Sequence, residues 1–281
     1  MSRRERVLID GAGLQARLDD PRLVLVEVDE RPAIYREGHI AGAHCVDPRR
    51  DLQDPLVRDI AGPAAIAKLW HRLGITRESS VVLYGDKSNW WACFGFWLFR
   101  VYGLRRLRLL DGGRQAWLAD GRAFDRDGPR RHSVALTDVP RPRRRADLRA
   151  DRAAVAAAAQ AGQQLIDVRT AAEFRGEVLS EPGYGHEAAQ RAGHIPSAIS
   201  LPWERLVGAD GRILRDAALR ERLAAGGVKL ELPSITYCRI GERSAHTWFV
   251  LHEVLGAPAR NYDGSWAEWG SMIGMPIAVG D

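Results

Sequence analysis

The residues best suited to chemistry lie in one stretch, Ser234 to Val250, which reads SITYCRIGERSAHTWFV. A β-rich run, Ile235-Thr236-Tyr237, stops at Cys238, and Arg239, Ile240, Gly241, Glu242 and Arg243 follow. Ser244 then opens a pattern with Trp248, Leu251, His252 and Leu255 at helical spacing. Strand, tight loop and helix start together point successive backbone N–H groups into one concavity, with the helix dipole behind them. A cysteine at the mouth of such a concavity is expected to be held largely as thiolate, because the positive field favours the charged form. Arg239 and Arg243 add positive charge, and Glu242 subtracts some. The chemistry this predicts is attack by a nucleophilic sulfur, with room for a small anion. A plainer reading stands beside it: the cysteine as a small buried hydrophobe and the serine as a helix cap. The spacing alone leaves both open; the two arginines and the glycine in the same loop favour the nucleophile.

The elements that must position this loop occur twice in the chain. Leu23 to Asp29 and Leu165 to Arg169 both read as buried strands. GHIAGAH (Gly38 to His44) follows the first, and GHIPSAISL (Gly193 to Leu201) the second. Next come Val81 to Tyr84 and Ile235 to Tyr237, each leading into a helical segment that ends at a glycine, Gly103 and Gly256. LLDGGRQAW (Leu109 to Trp117) and NYDGSWAEW (Asn261 to Trp269) close the two series. His39 and His194 lie 155 residues apart and Trp117 and Trp269 lie 152 apart, so one register runs through both copies. The second copy carries an insertion, Glu177 to Gln190, before its GHI segment.

Short apolar strands alternating with helical stretches predict an α/β fold with parallel sheets covered on both faces. Ligands bind such sheets beyond the carboxyl ends of the strands, where Cys238 sits. The domains are expected at 1–125 and 151–281, joined by a Pro- and Arg-rich linker, 126–150, that retains a strand around His132 to Leu136. Asp151 is expected to cap a helix through Ala153 to Ala161. In the first copy Gly85 stands where Cys238 stands in the second, and its loop reads GDKSNWW. That copy is therefore expected to be non-catalytic and to act as scaffold, since Cys93 lies too far into the next helix to substitute.

Composition narrows the function classes. With 46% apolar and 27% charged residues over 281, the chain has the make-up of a soluble globular protein. It has no apolar run approaching the roughly 20 residues of a membrane span. Val7-Leu8-Ile9 is too short for a signal-peptide core, so a cytoplasmic location is expected. Cys45, Cys93 and Cys238 show no Cys-x-x-Cys spacing, and the eight histidines form no helical pair, so neither a disulfide framework nor a metal site is predicted. The net charge of +5 comes almost wholly from arginine, with only Lys68, Lys87 and Lys229 as lysines. Its one dense run, Arg141 to Arg145, lacks interleaved aromatics and reads as solvated linker, not as a nucleic-acid surface. His39 and His194 are expected to fix loops, and Trp266 and Trp269 to lie in the core.

At both GHI segments, both DG-x-x-x-x-W signatures and the loop Cys238 to Ser244, the chain resembles the tandem-domain rhodanese family over nearly its whole length. The loop CRIGERS with the following HTWFVL is most like that family's bacterial thiosulfate sulfurtransferases. The resemblance implies a five-stranded parallel sheet flanked by helices in each domain. It also implies thiosulfate:cyanide sulfurtransferase chemistry without metal or cofactor. Cys238 would attack the outer sulfur of thiosulfate and hold it as a persulfide. The loop backbone at Ile240, Gly241, Glu242 and Ser244 would cradle that persulfide until cyanide or a thiol accepts the sulfur. Arg243 would bind the substrate anion with Arg239 in support, and Arg169, just past a strand end, either faces the same pocket or pairs with Glu173 or the first domain. The implied partners are thiosulfate, a small thiophilic acceptor and a candidate sulfur-acceptor protein, with no nucleic acid and no membrane.

One departure concerns Glu173, which stands where animal members tend to carry an arginine, with Arg175 as the residue placed to compensate. 3-Mercaptopyruvate sulfurtransferases share the fold, but their loops are small and weakly charged. Phosphatases of the fold place five residues between cysteine and arginine, where this chain has four. A persulfide carrier or binding module is the non-enzymatic alternative.

Overall fold

The computed structural model describes residues 1–130 and 134–281. They form two compact units, residues 1–145 with 209–213, and 146–208 with 214–281. The first unit therefore runs past residue 125. The Arg143 and Arg145 backbone N–H groups donate to the Tyr102 and Val101 carbonyls at the end of its long helix, over 3.1 and 2.7 Å. The expected strand around His132 to Leu136 lies partly outside the described residues, and Leu136–Asp138 is a 3₁₀ turn.

The strands of the first unit are β1 (Leu8–Ile9), β2 (Leu23–Val28), β3 (His44–Val46), β4 (Ser80–Tyr84) and β5 (Leu107–Leu110). They make one five-stranded sheet, in the order β1-β5-β4-β2-β3, and every pairing is parallel. All six residues of β2 are buried, as a strand covered on both faces requires. Leu25, Val82, Tyr84, Leu110 and Trp117 pack in one core cluster. The helix Trp90–Val101, nearly all of it buried, follows β4.

In the second unit the strands are β6 (Gln164–Asp167), β7 (Ile199–Ser200), β8 (Ser234–Tyr237) and β9 (Ala259–Asn261). Their order is β7-β6-β8-β9, again all parallel, so this sheet has four strands where five were expected. The fifth place is reduced to one parallel bridge, Arg149 to Asn261, and the chain then enters the helix Arg152–Gln160. Asp151 caps that helix, accepting the Ala154 N–H over 2.8 Å. With its cap only two residues past the bridge, this segment has no length left for a ladder.

The repeat is exact in its hydrogen bonds. Tyr84 ends β4 and its hydroxyl accepts the Ile40 N–H over 2.9 Å; Tyr237 ends β8 and accepts the Ile195 N–H over 3.1 Å. His39 stacks on Tyr35 and His194 on Phe174, with centroids 3.7 and 3.6 Å apart. His39 Nδ1 lies 2.9 Å from the Tyr35 carbonyl, and His194 Nδ1 lies 2.8 Å from that of Phe174, so both histidines fasten loops as expected. Trp266 and Trp269 lie in the second core.

Candidate active site

Cys238 follows β8 directly and is fully buried. Its backbone is held at both ends: its N–H donates to Ser265 Oγ over 3.0 Å and its carbonyl accepts the Trp266 N–H over 3.0 Å. The loop turns at Gly241, whose φ of 103° is left-handed. A Cβ there would come within 2.8 Å of Asp263 Cα, so only glycine fits. This turn aims the Gly241 N–H at Cys238 Sγ over 3.1 Å. Asn261 and Ser244 brace it from behind: Asn261 Nδ2 and Ser244 Oγ both donate to the Gly241 carbonyl, over 3.3 and 3.1 Å, and Ser244 lies 2.7 Å from Asn261 Oδ1.

The helix begins at Glu242 and runs to Trp248, with Gly241 as its cap, so Ser244 sits inside the first turn and does not open it. From Phe249 to Val254 the turn widens to π-helical. Glu242 at the helix start faces Cys238 directly: Cys238 Sγ donates to Glu242 Oε2 over 3.3 Å. Burial and then the Glu242 charge push the thiol up from its ordinary range, while Arg243 and Ser244 pull it down. The net push is towards the neutral thiol, and Sγ is the donor in its contact with Glu242. Against the expected thiolate, the loop that supplies N–H groups also supplies a carboxylate, and the site is closed to water.

The predicted arginines are both present and both paired. Arg243 makes a bidentate contact with Glu173, 2.9 and 3.1 Å, between two side chains fully buried from solvent. Glu181 lies 3.5 Å from the same guanidinium. Glu173 is placed by a capping box with Thr170 at the start of the helix Ala171–Arg175. Burial would raise its carboxyl, but the hydrogen bonds and charge of Arg243 hold it below its ordinary range. Arg239 is also buried, not solvent-facing: Nη2 lies 3.1 Å from Glu242 Oε1 and 3.0 Å from Glu187 Oε2, and the guanidinium lies 4.0 Å from the Tyr184 ring. Its Nε and Nη1 have no hydrogen-bond partner among the described residues. Arg169 pairs neither with Glu173 nor with the loop. It is held by Asp167 at 2.6 Å and the Gly193 carbonyl at 2.7 Å, 4.6 Å from the Trp266 ring. Arg175 pairs with Glu177 at 2.7 Å on the part-exposed surface.

Around the thiol, two guanidinium groups thus meet four carboxylates: Glu173, Glu181, Glu187 and Glu242. Buried guanidinium groups demand such partners, and the demand is met from the insertion as well as from the loop. Glu181, Tyr184 and Glu187 all lie in 177–190, whose length was legible in the sequence but whose position over the loop was not. Ser265 and Asn261 were visible only as parts of the repeated motif. Glu173 was legible as a capping-box glutamate, T-x-x-E, without its arginine.

The first unit repeats the strand end with a glycine in place of the cysteine. The Gly85 N–H donates to Asn89 Oδ1 over 2.9 Å, as that of Cys238 does to Ser265. A Cβ at Gly85 would lie 2.2 Å from the Val28 carbonyl oxygen, so this loop excludes any side chain. Among the described residues no group of three or more His, Cys, Asp or Glu is placed to hold a metal ion, and no helix is long and apolar enough to cross a membrane.

The site is thus a buried cysteine at the end of a parallel strand, faced by a backbone N–H, in an α/β protein. The chain belongs to the rhodanese family: the rhodanese-like domain matches it twice, at residues 11–120 and 151–272. It is 42% identical over 280 residues to the sulfur carrier protein TtuD of Thermus thermophilus, covering 98% of this chain and 97% of that one. A Mycobacterium bovis protein provisionally named thiosulfate sulfurtransferase 1 is 43% identical over 275 residues, covering 98% of each. Among solved structures, Escherichia coli SseA, described as a 3-mercaptopyruvate sulfotransferase, superposes with a TM-score of 0.75 at 23% identity, over 92% of this chain and 98% of that one. Wild-type EanB superposes with a TM-score of 0.82 at 23% identity, over 99% of this chain and 70% of that one. The chain is a sulfurtransferase of rhodanese type with two such domains.

Proposed function

We propose that the protein transfers sulfane sulfur from thiosulfate to cyanide or a thiol acceptor through a persulfide on Cys238. The observation that carries this is the Gly241 N–H aimed at Cys238 Sγ over 3.1 Å, beside a buried Arg239 with two donors unengaged. Cys238 sulfur attacks the outer sulfur of thiosulfate, and sulfite leaves with the electron pair of the broken S–S bond. The persulfide is an anion, and the backbone at Ile240, Gly241, Glu242 and Ser244 is the cradle for it. Both terminal nitrogens of Arg243 already engage Glu173, so Arg239 is the guanidinium with donors left for the sulfonate oxygens. A nucleophile that must stay reduced suits the cytoplasm.

The complete burial of Cys238 also favours a second reading, a carrier that holds its persulfide and releases it only to a partner protein. Intact mass separates the readings. Thiosulfate adds one sulfur, about 32 Da, to wild type and not to Cys238→Ser, and cyanide removes it as thiocyanate. A persulfide that survives cyanide and passes to a protein thiol supports the carrier. Loading by mercaptopyruvate alone identifies that donor instead, and no loading from either donor overturns the proposal.

A further inference from the structure

We propose that Glu242 is a catalytic acid–base residue: it takes the proton of the Cys238 thiol and hands it to the departing sulfite. The inference deepens the persulfide reading above and rests on it for the second half of the step.

Sγ is the donor in its contact with Glu242, so a proton must leave the sulfur before it can attack. Glu242 Oε2 is the acceptor of the thiol hydrogen, 3.3 Å from Sγ. Its carboxylate is 1% exposed, so no bulk water competes for that proton. Its other oxygen is fixed: Oε1 receives Arg239 Nη2 over 3.1 Å and lies 3.8 Å from Arg243 Nε. One oxygen is therefore anchored by two cations, and the other is left pointing at the sulfur. The opposite side of Sγ accepts the Gly241 N–H over 3.1 Å, which stabilises the thiolate as the proton leaves. The charged groups around this pair are Arg239 from the loop, Arg243 from the helix that Glu242 begins, Glu173 from Ala171–Arg175, and Glu181 and Glu187 from the insertion.

The step balances without any further reagent. The S–H bond of Cys238 breaks and an O–H bond forms at Glu242 Oε2. The Cys238 sulfur then bonds to the outer sulfur of thiosulfate as the S–S bond of thiosulfate breaks, its electron pair leaving on sulfite. Sulfite takes the proton from Glu242 and departs as hydrogen sulfite. Thiol and thiosulfate have become persulfide anion and hydrogen sulfite, and the carboxylate is restored.

A carboxylate that merely repelled the thiolate would have the opposite effect on rate, and this makes the test decisive. The rates to measure are iodoacetamide labelling of Cys238, followed on its own peptide, and single-turnover sulfur loading from thiosulfate, both between pH 6 and 9. The wild-type rates are expected to be nearly flat through neutrality. Glu242→Gln should be slower by about tenfold or more at pH 7, climbing about tenfold per pH unit towards wild type, because only hydroxide then ionises the thiol. Glu242→Asp, which keeps a carboxylate at a longer reach, should fall between them with a flattened profile. If Glu242→Gln labels as fast as wild type or faster at pH 7, the proposal is overturned. Should Glu242→Gln lose its native circular dichroism, the Asp variant decides: a profile climbing tenfold per pH unit despite its carboxylate overturns the proposal equally. Labelling needs no sulfur donor. A wild type that labels as expected but takes no sulfur overturns the persulfide reading alone, and identical profiles in wild type and Glu242→Gln overturn the proton transfer alone.

Discussion

At the residue scale the site is a set of charges that neutralise one another. Arg243 and Glu173 are both fully buried, in bidentate contact at 2.9 and 3.1 Å. Removing one partner of such a pair leaves the other charge unsolvated. Glu173→Gln is therefore expected to lower the urea-unfolding stability of the second unit by about 3 kcal/mol, whatever it does to activity. Arg239 is different, because two of its donors are unengaged. Arg239→Met should leave Cys238 open to sulfur loading but raise the thiosulfate concentration for half-maximal rate by about tenfold or more. An unchanged half-saturation would place the sulfonate elsewhere.

At the element scale, three side chains of the insertion 177–190 pack against the arginines that flank the buried sulfur. Tyr184 lies against Arg239, Glu187 pairs with it, and Glu181 reaches Arg243, while Cys238 has no exposed surface. The thiol must become exposed before any donor can touch it. Tyr184→Ala is expected to speed iodoacetamide labelling of Cys238 severalfold at fixed pH, with a smaller effect on pH dependence. The corresponding loop of the first unit is closed by its backbone instead. Gly85→Cys would press a Cβ against the Val28 carbonyl at 2.2 Å. It is expected to destabilise the first unit, measured as a lower urea midpoint, and to add no second persulfide on exposure to thiosulfate.

At the scale of the whole molecule, one buried group in each unit ties stability to pH, and the two act in opposite directions. In the second unit, burial pushes His246 down to about 4 from an ordinary 6.5. Its folded form binds fewer protons than its unfolded form between those values, so stability is present above 6.5 and is lost as pH falls towards 4. Moving from pH 7 to 5 should cost this unit about 2 kcal/mol through this group, and His246→Phe should remove that share of the loss. In the first unit, burial and the neighbouring Glu27 push Asp29 up to about 9 from 3.8. Its folded form binds more protons, so its contribution is complete below 3.8 and disappears as pH rises through 9. Asp29→Asn should flatten that alkaline decline. Urea midpoints across pH 5 to 9, on each variant, check both signs.

What the sequence determined by itself was whatever local pattern encodes. The doubled GHI and DG-x-x-x-x-W signatures, the strands ending at Tyr84 and Tyr237, and the matching glycine and cysteine beyond them were all legible, because strand periodicity and turn residues are local properties. Cys238, Arg239 and Arg243 were legible as a group for the same reason, since they share one short loop. Only the tertiary structure decided what those arginines face. Glu173, Glu181 and Glu187 lie 52 to 70 residues before the arginines they pair with, and no spacing rule connects them. The same holds for the protonation of Cys238. Its loop promises a positive field, which burial and one carboxylate oxygen oppose; that carboxylate is local to the loop, whereas the burial comes only with the tertiary fold.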